Sequence, residues 1–324
     1  MKKLTAILLS ALLTVSMFAF AGCGDTTDDT DKVYNIGICQ LVQHDALDAA
    51  TNGFMDAVKA GLGEENVKFD LQNAAGDSPT CTTIVNGFVA NNVDLIMANA
   101  TSPLQAAAAA TADIPILGTS VTDYATALEI DDWTGTVGTN VSGTSDLAPL
   151  DQQAAMIQEM FPDAKNVGLL YCSAEANSQY QVDVITEALE GMGYTCTPFA
   201  FTDTNDVASV TQAACDASDV IYIPTDNTAA ANTEAIANVV LPARVPVIAG
   251  EQGLCTGCGV ATLSISYYDL GYTTGEMAVK VLKGEADVSE MAVEYAPEVT
   301  KMYNAANCEA LGITPPEGYD PIAE

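Results

Sequence analysis

The sequence predicts an α/β protein made of two successive units of similar size. Three observations support this class. Short apolar runs typical of buried strands alternate with longer segments of helical periodicity. The alternation restarts after Pro162. Connections of helical length between strands imply right-handed crossovers, so each unit is expected to be a parallel sheet covered by helices on both faces.

The strand and helix signals alternate along each unit. In the first unit they predict strands at 33–39, 67–71, 95–98 and 115–118, and helices at 46–62, 80–91 and 103–112. In the second unit they predict strands at 166–171, 195–199, 220–223 and 245–249, and helices at 178–192, 206–217 and 228–240.

The segment after the second unit is predicted to return to the first. A helix from Tyr268 to Leu282 ends at Lys283-Gly284, a common helix stop, and short strands follow around 291–295. With the joining segment at 141–149, this makes several crossings and therefore a hinge. The predicted organisation is two lobes with a ligand cleft between them. The N-terminal lobe comprises 33–144 plus about 264–288, and the C-terminal lobe comprises 145–263 plus about 289–324.

Residues 1–22 have the form of a signal peptide. Lys2 and Lys3 precede an apolar stretch, 4–20, that is too short to span a bilayer comfortably. Ala21 and Gly22 then precede Cys23, as a bacterial lipoprotein-processing site requires, so we expect lipidation of Cys23. A plain secretory signal with an incidental cysteine is the alternative. Residues 23–32 are polar and acidic and predict a tether to the extracytoplasmic face of the cell membrane.

The charge balance excludes one class of partner. The formal net charge is −33, and nucleic acid or an anionic lipid surface would be repelled because binding either requires clustered Lys and Arg. With 49% hydrophobic residues against 16% charged ones, the chain has enough apolar material for a core. The acidity is therefore expected on the surface.

The cysteines and the single histidine limit which disulfides, redox pairs and metal sites the chain can form. Eight cysteines follow Cys23, and in an exported chain they allow disulfides whose pairing is not readable. Cys255 and Cys258 are spaced as a tight disulfide, a redox pair or half a zinc site. Without a second such pair, a structural bridge or free thiols is the simpler interpretation, and neither a metal site nor a cofactor is expected.

Candidate ligand-binding residues lie where parallel strands end and loops lead into helices. Thr101 and Ser102 precede a helix with Pro103 in its first turn, which leaves backbone donors suited to a carboxylate. Acidic side chains from the second lobe offer acceptors to an ammonium or to hydroxyls. The combination suits a zwitterion such as an amino acid. The candidates from these loops are Gln43, His44, Thr101, Ser102, Thr122, Asp123, Glu175, Asn177, Ser178, Thr225, Asp226, Asn227 and Glu251.

Other interpretations of these residues remain open. Ser178, Asp226 and Asn227 are also typical helix caps. His44 has a surface or capping role as its alternative, and one histidine cannot make a metal site. Tyr124 and Trp133 are the nearest aromatic side chains for stacking on an apolar ligand, although most aromatic residues at such positions pack. Standard nucleophile, phosphate-loop and zinc-protease motifs are missing from the sequence, so an enzyme is not predicted.

Nearly the whole chain after residue 33 resembles the ABC-importer substrate-binding family of the tryptophan/phenylalanine-binding type, with the periplasmic-binding-protein type I fold. The resemblance lies in segments 36–40, 44–50, 94–96, 114–116, 121–123, 141–146, 168–171, 175–178, 225–227 and 267–271. Segment 141–146 adds Ser145 and Asp146 to the candidate ligand-binding residues. This chain departs from the family at three positions. The family usually has proline where this chain has Tyr124 and asparagine where it has Cys172, and it often has proline in place of Asp45. These differences are expected to change the shape of the pocket.

The resemblance implies a monomeric lipoprotein that captures a small zwitterionic ligand, with an aromatic or other apolar amino acid as the leading candidate. Lobe closure would then present the ligand to the permease subunits of an ABC importer. The alternatives are a lipoprotein receptor for a signalling ligand and the binding of a nucleoside or sugar. A surface hydrolase is the alternative that these residues support least.

Overall fold

Two β-sheets flanked by helices organise the residues that the structure describes, 32–296 and 298–323. In this computed structural model, residues 33–324 make one compact unit. The predicted signal peptide, Cys23 and the tether up to residue 31 lie outside the described residues. Within the described chain, no helix combines the length and apolar character needed to cross a membrane. The predicted α/β class is confirmed.

The strands and helices are numbered in chain order. The strands are β1 Tyr34–Gln40, β2 Val67–Asn73, β3 Leu95–Asn99, β4 Ile116–Val121, β5 Val141–Ser145, β6 Asn166–Cys172, β7 Thr195–Phe201, β8 Val220–Ile223, β9 Val247–Ala249, β10 Ala261–Ser264, β11 Glu294–Tyr295, β12 Thr300–Tyr303 and β13 Asp320–Pro321. The helices are α1 Asp45–Leu62, α2 Ser78–Ala90, α3 Thr101–Ala110, α4 Tyr124–Ala127, α5 Leu150–Met160, α6 Ala176–Gly191, α7 Val207–Ala217, α8 Asn227–Ala230, α9 Thr233–Ala243, α10 Gln252–Gly257, α11 Tyr267–Leu282 and α12 Ala305–Leu311.

The N-terminal sheet is parallel throughout, in the order β11-β5-β4-β3-β1-β2. Every residue of its inner strands β3, β4 and β5 is buried, as expected for a sheet covered by helices on both faces. The carboxyl ends of these strands carry the loops on which ligand-binding residues were predicted. The sheet therefore brings those loops to one edge.

The C-terminal sheet has the order β13-β12-β10-β9-β8-β6-β7. Its strands are parallel except that β12 runs antiparallel to β10, so the prediction of an entirely parallel sheet was wrong at this edge. Between β10 and β12 the chain passes through α11 and through β11 of the N-terminal sheet. The two strands are therefore not joined by the strand-helix-strand crossover within one sheet that makes neighbours parallel.

Three parts of the predicted organisation differ from the structure. The predicted joining segment 141–149 contains strand β5, so only residues after Ser145 leave the N-terminal sheet. Strand β11 pairs with β5, whereas the predicted boundary near residue 289 placed it with the C-terminal lobe. The predicted helix 228–240 is two helices, α8 and α9, separated near Asn232, whose amide bonds back to the Thr228 carbonyl instead of continuing the helix.

Eight cysteines lie in the described part of the chain, and all are free thiols. Cys255 lies in helix α10 and Cys258 directly follows it, and both are buried free thiols, which fits the free-thiol interpretation rather than a tight disulfide. Burial raises the pKa of the Cys258 thiol to about 12, so it stays protonated and unreactive at neutral pH. The described residues contain no group of three or more His, Cys, Asp or Glu side chains placed to hold a metal ion.

Helix α11 packs along helix α1 of the N-terminal lobe, as predicted, and glycines set the close distance between them. A side chain at Gly271 would collide with the backbone oxygen of Ala50, and one at Gly275 would lie 2.6 Å from the Phe54 oxygen. Further along, a side chain at Gly61 would meet Val279. Both helices advance in the same direction along this contact, so they are parallel and their N-termini lie at the same end.

The glycine contact predicts a large cost for one added methyl group. Gly271→Ala should lower the free energy of unfolding by about 3 kcal/mol, because the backbone atoms it meets cannot move aside. Urea denaturation measures the change. Gly87→Ala is the matched control, since Gly87 is exposed in α2 with open space around it. It should stabilise the protein by up to about 1 kcal/mol. Equal stabilities of the two variants would contradict the packing argument.

Candidate ligand-binding cleft

A cavity lies between the carboxyl ends of the two sheets, where helices α1, α8, α10 and α11 begin. Its volume in this structure is about 10 Å³, room for about one water molecule, and it is called the central cavity below. Loops and helix starts that follow strands of both sheets line it, which is the arrangement expected for a ligand cleft in an α/β fold. The lining residues are His44, Leu47, Ser120, Thr122, Asp146, Asn177, Thr225, Asp226, Asn227, Ala230, Glu251 and Tyr267.

One hydrogen bond joins the two sides of the cavity. His44, at the N-terminus of α1, lies with its Nε2 3.2 Å from Oδ1 of Asn227, at the start of α8. The Asn227 amide nitrogen donates to Glu175 at 2.7 Å, which leaves Oδ1 facing the ring, so Nε2 must carry the hydrogen. Burial lowers the pKa of His44 despite the neighbouring acceptor, so the ring is neutral near pH 7.

Two of the acidic residues are occupied by bonds within the C-terminal lobe. Glu175 accepts from the backbone and side chain of both Asn227 and Thr228, at 2.7–3.1 Å, and so fixes the start of α8. Asp226 caps the same helix through Ala229 N and also accepts from Cys172 N and Ser178 Oγ. The helix-cap interpretation of Asp226 therefore holds, although the residue also lines the central cavity.

The other two carboxylates of the cavity keep more of their acceptor capacity free. Asp146 accepts from Thr122 Oγ1 at 3.0 Å and from Tyr267 Oη at 2.8 Å. Glu251 caps α10 through the N–H groups of Gly253 and Leu254. A carboxylate offers about four lone-pair sites, so each retains room for a ligand donor.

Burial of these acids without a basic partner shifts their titration. Asp146, Asp226 and Glu251 are each at least 95% buried, and no Lys or Arg is among the described residues that line the cavity. Desolvation, then the Glu175 charge, raises the pKa of Asp226 to about 7, and desolvation raises the pKa of Glu251 to about 7. Desolvation also raises the pKa of Asp146. The unfolded chain loses these protons at a lower pH than the folded protein does, so these groups lower the stability of the folded state as the pH rises from their unfolded pKa values towards 7. A bound cation would offset that cost.

The central cavity gathers about half of the predicted site residues. Ser102 and Glu175 instead line an outer cavity of about 330 Å³ at the mouth of the cleft, which Asn227 also borders. The predicted residues that line the central cavity are His44, Thr122, Asp146, Asn177, Thr225, Asp226, Asn227 and Glu251. Those that border neither cavity are Gln43, Thr101, Asp123, Ser145 and Ser178.

The structure explains why several of these residues stand apart. Gln43 is exposed, and Asp123 caps helix α4 through Thr126 N at 2.7 Å. Ser145 donates to the Thr122 carbonyl, and Ser178 donates to Asp226, so both support residues that face the cavity. Thr101 is buried with a hydroxyl that has no partner among the described residues.

The aromatic candidates from the sequence pack in the N-terminal core. Tyr124 donates its hydroxyl to the Thr144 carbonyl and stacks on Trp133, with ring centroids 6.5 Å apart. Tyr267 is the aromatic residue of the central cavity, and it was missed as a ligand residue because the sequence presents it only as the start of a helix. Ser120 was missed as well, since it lies inside a predicted loop with several other hydroxyl residues.

Comparison with known proteins was made on sequence and on structure. A family model described as ABC transporter substrate binding protein matches residues 35–320. The chain is 34% identical to the tyrosine-binding protein of Clostridioides difficile (strain R20291), over 96% of this chain and 92% of that protein. Among solved structures, it is similar to an ABC domain from Streptococcus pneumoniae in complex with L-Trp. The TM-score is 0.85 and the identity 32%, covering 90% of this chain and all of that chain.

A second solved structure has higher sequence identity to this chain but lower structural similarity. The open, ligand-free form of a substrate-binding protein with adhesive properties from Clostridium difficile is 38% identical, over 90% of this chain and 99% of that chain, yet its TM-score is only 0.68. The present structure is thus more similar to the L-Trp complex than to the open, ligand-free protein. The chain belongs to the ABC transporter substrate-binding protein family, whose members work outside the cytoplasm with a small-molecule ligand and permease subunits.

Proposed function

We propose that this protein binds an aromatic amino acid between its lobes, with the ligand ammonium at Asp146 and Glu251. The observation that carries this proposal is the buried cluster of Asp146, Asp226 and Glu251, with no Lys or Arg in the part of the cavity wall that the structure describes. An ammonium compensates buried negative charge and donates three charge-assisted hydrogen bonds, whereas a neutral sugar or nucleoside leaves the charge uncompensated. The relatives that bind tyrosine and L-Trp support an aromatic side chain.

The assignment within the cavity differs from the one expected from sequence. Asp226 and Glu251 were expected to receive the ammonium together, but Asp226 accepts three hydrogen bonds from its own lobe, while Asp146 and Glu251 each accept two. Tyr267 lines both the central cavity and a larger neighbouring cavity of about 440 Å³, so its ring is placed beside any ligand side chain that extends in that direction.

Ligand binding is proposed to act by lobe closure. We place the lobe boundaries at the three points where the chain passes between the sheets, near 146–149, 265–266 and 296–299. A ligand that contacts Asp146 on one side and Glu251 on the other stabilises the closed state in proportion to those extra contacts. The closed form is then the one that the permease recognises, and the protein acts as a monomer.

Lipid anchoring through Cys23 completes the proposal. Ala21 and Gly22 before the cysteine match a lipoprotein-processing site, and an acidic segment follows it. The anchor would hold the compact unit beside the permease at the extracytoplasmic face of the membrane.

A ligand screen with one charge variant tests the binding assignment. Residues 25–324, which contain the whole compact unit, should show a thermal shift with L-tyrosine, L-tryptophan or L-phenylalanine and none with sugars or nucleosides. Asp146→Asn should weaken binding about tenfold to hundredfold, because it removes the charge that receives the ammonium. Asp123→Asn is the control, because asparagine can still cap helix α4 and this position does not border the cavity. It should bind the ligand as the wild type does. Stabilisation by a sugar alone would sink the proposal.

The raised pKa of Glu251 predicts a pH-dependent affinity. A carboxyl with a pKa of about 7 in the ligand-free protein is largely protonated at pH 6, and the ammonium binds its ionised form. Titration calorimetry should therefore show the affinity falling up to about tenfold from pH 8 to pH 6 through this group. Glu251→Gln should bind more weakly with a flatter profile.

Glu159→Gln is the control for that profile. Glu159 is partly exposed, and its hydrogen bond to Lys301 lowers its pKa, so it titrates below this pH range. If the pH dependence of affinity is as flat in Glu159→Gln as in Glu251→Gln, protonation of a cavity residue is not its cause.

The anchor is tested in cells fed a palmitate analogue that carries a chemical label. The wild-type chain should be labelled and remain with the membrane fraction, while Cys23→Ala should lose the label. Cys39→Ala, which alters a buried core cysteine, should still be labelled. Retained label in the Cys23 variant would refute lipidation at this residue.

A further inference from the structure

We propose that the hydroxyl of Ser120 donates a hydrogen bond to the carboxylate of the bound amino acid. This inference rests on the proposed function and adds a residue that fixes ligand orientation. Ser120 lines the central cavity, is 94% buried, and its Oγ has no hydrogen-bond partner among the described residues. A buried hydroxyl left without a partner is costly, so it indicates a group that is bonded when the site is filled.

The backbone at Ser120 is shaped for this purpose. The register between β4 and β5 shifts between Gly118 and Val121, which makes an irregularity of the β-bulge kind, and Ser120 has a φ of +54° within it. Bulges re-aim a side chain, and a non-glycine residue with positive φ is strained. Ala100, which follows the neighbouring strand β3, also has positive φ, at +98°. Two adjacent strand ends are thus held in unfavourable conformations at the same edge of the cleft.

The other hydroxyls of the cavity are already committed. Thr122 and Tyr267 both donate to Asp146, and Thr225 donates to Gln181 Oε1 at 2.8 Å. Among the described residues of the cavity wall, Ser120 therefore has the one hydroxyl that is free to donate to a ligand.

The charge distribution selects which end of the ligand Ser120 receives. The carboxylates of the wall attract the ammonium, and without a Lys or Arg the ligand carboxylate must be bound by neutral donors. A hydroxyl that donates to a carboxylate makes a charge-assisted hydrogen bond, which is about twice as strong as one between neutral groups. Ser120 thus distinguishes an amino acid from the corresponding amine.

The test compares each amino acid with its decarboxylated amine. Affinities of L-tyrosine, tyramine, L-tryptophan and tryptamine are measured by titration calorimetry for the wild type, Ser120→Ala and Ser120→Gly. Both variants should bind the amino acids about tenfold to hundredfold more weakly than the wild type does and bind the amines unchanged. Ser120→Gly should also keep or raise the melting temperature without ligand, because glycine tolerates the positive φ.

The outcomes separate this inference from the proposed function. If the wild type binds the amino acids and the Ser120 variants bind them equally well, the role of Ser120 is refuted while the function stands. An equal loss for amino acids and amines would also refute it, because the residue would then shape the cavity generally. If the wild type binds neither amino acid, the proposed function fails and the Ser120 inference fails with it.

Discussion

The close parallel contact between α1 and α11 is the constraint on which the cleft depends. Gly271 and Gly275 allow the helix backbones to approach to a distance that any side chain would prevent. Because the helices are parallel, both N-termini lie at the cleft. His44 precedes one helix and Tyr267 begins the other, so one packing interface sets the position of two cavity residues far apart in sequence. The positive ends of both helix dipoles also point towards the acidic residues there.

The acidic residues of the cleft divide into two groups by how their oxygens are used. Glu175 and Asp226 hold the start of α8 and thereby hold Asn227 in position to accept a hydrogen bond from His44. Asp146 and Glu251 keep acceptor capacity for a ligand. Both groups are buried, and their mutual repulsion adds to the cost of desolvation. That cost makes the closed cleft without ligand less favourable than the closed cleft with a cation, which is the difference a binding protein needs in order to couple ligand capture to closure.

The two sides of the cleft offer different chemistry to a ligand. The end of β4 presents the hydroxyl of Ser120 on strained backbone, and the crossing residue Asp146 together with Glu251 of the C-terminal lobe presents negative charge. A zwitterion matches this asymmetry, with one end for each kind of partner. The local strain at Ser120 is offset by the surrounding fold, since β4 is buried along its whole length and paired on both sides.

The sequence by itself determined the α/β class, the return of α11 to the first lobe and most of the loops that form the cleft, because strand and helix periodicities and cap residues are local signals. Its charge pattern also indicated a zwitterionic ligand. Only the tertiary structure decided which acids are free, since the hydrogen bonds of Asp226 come from Cys172, Ser178 and Ala229 on three different elements. The antiparallel β12, the pairing of β11 with β5 and the bulge at Ser120 were equally unreadable, because register and sheet membership arise from contacts between segments distant in the chain.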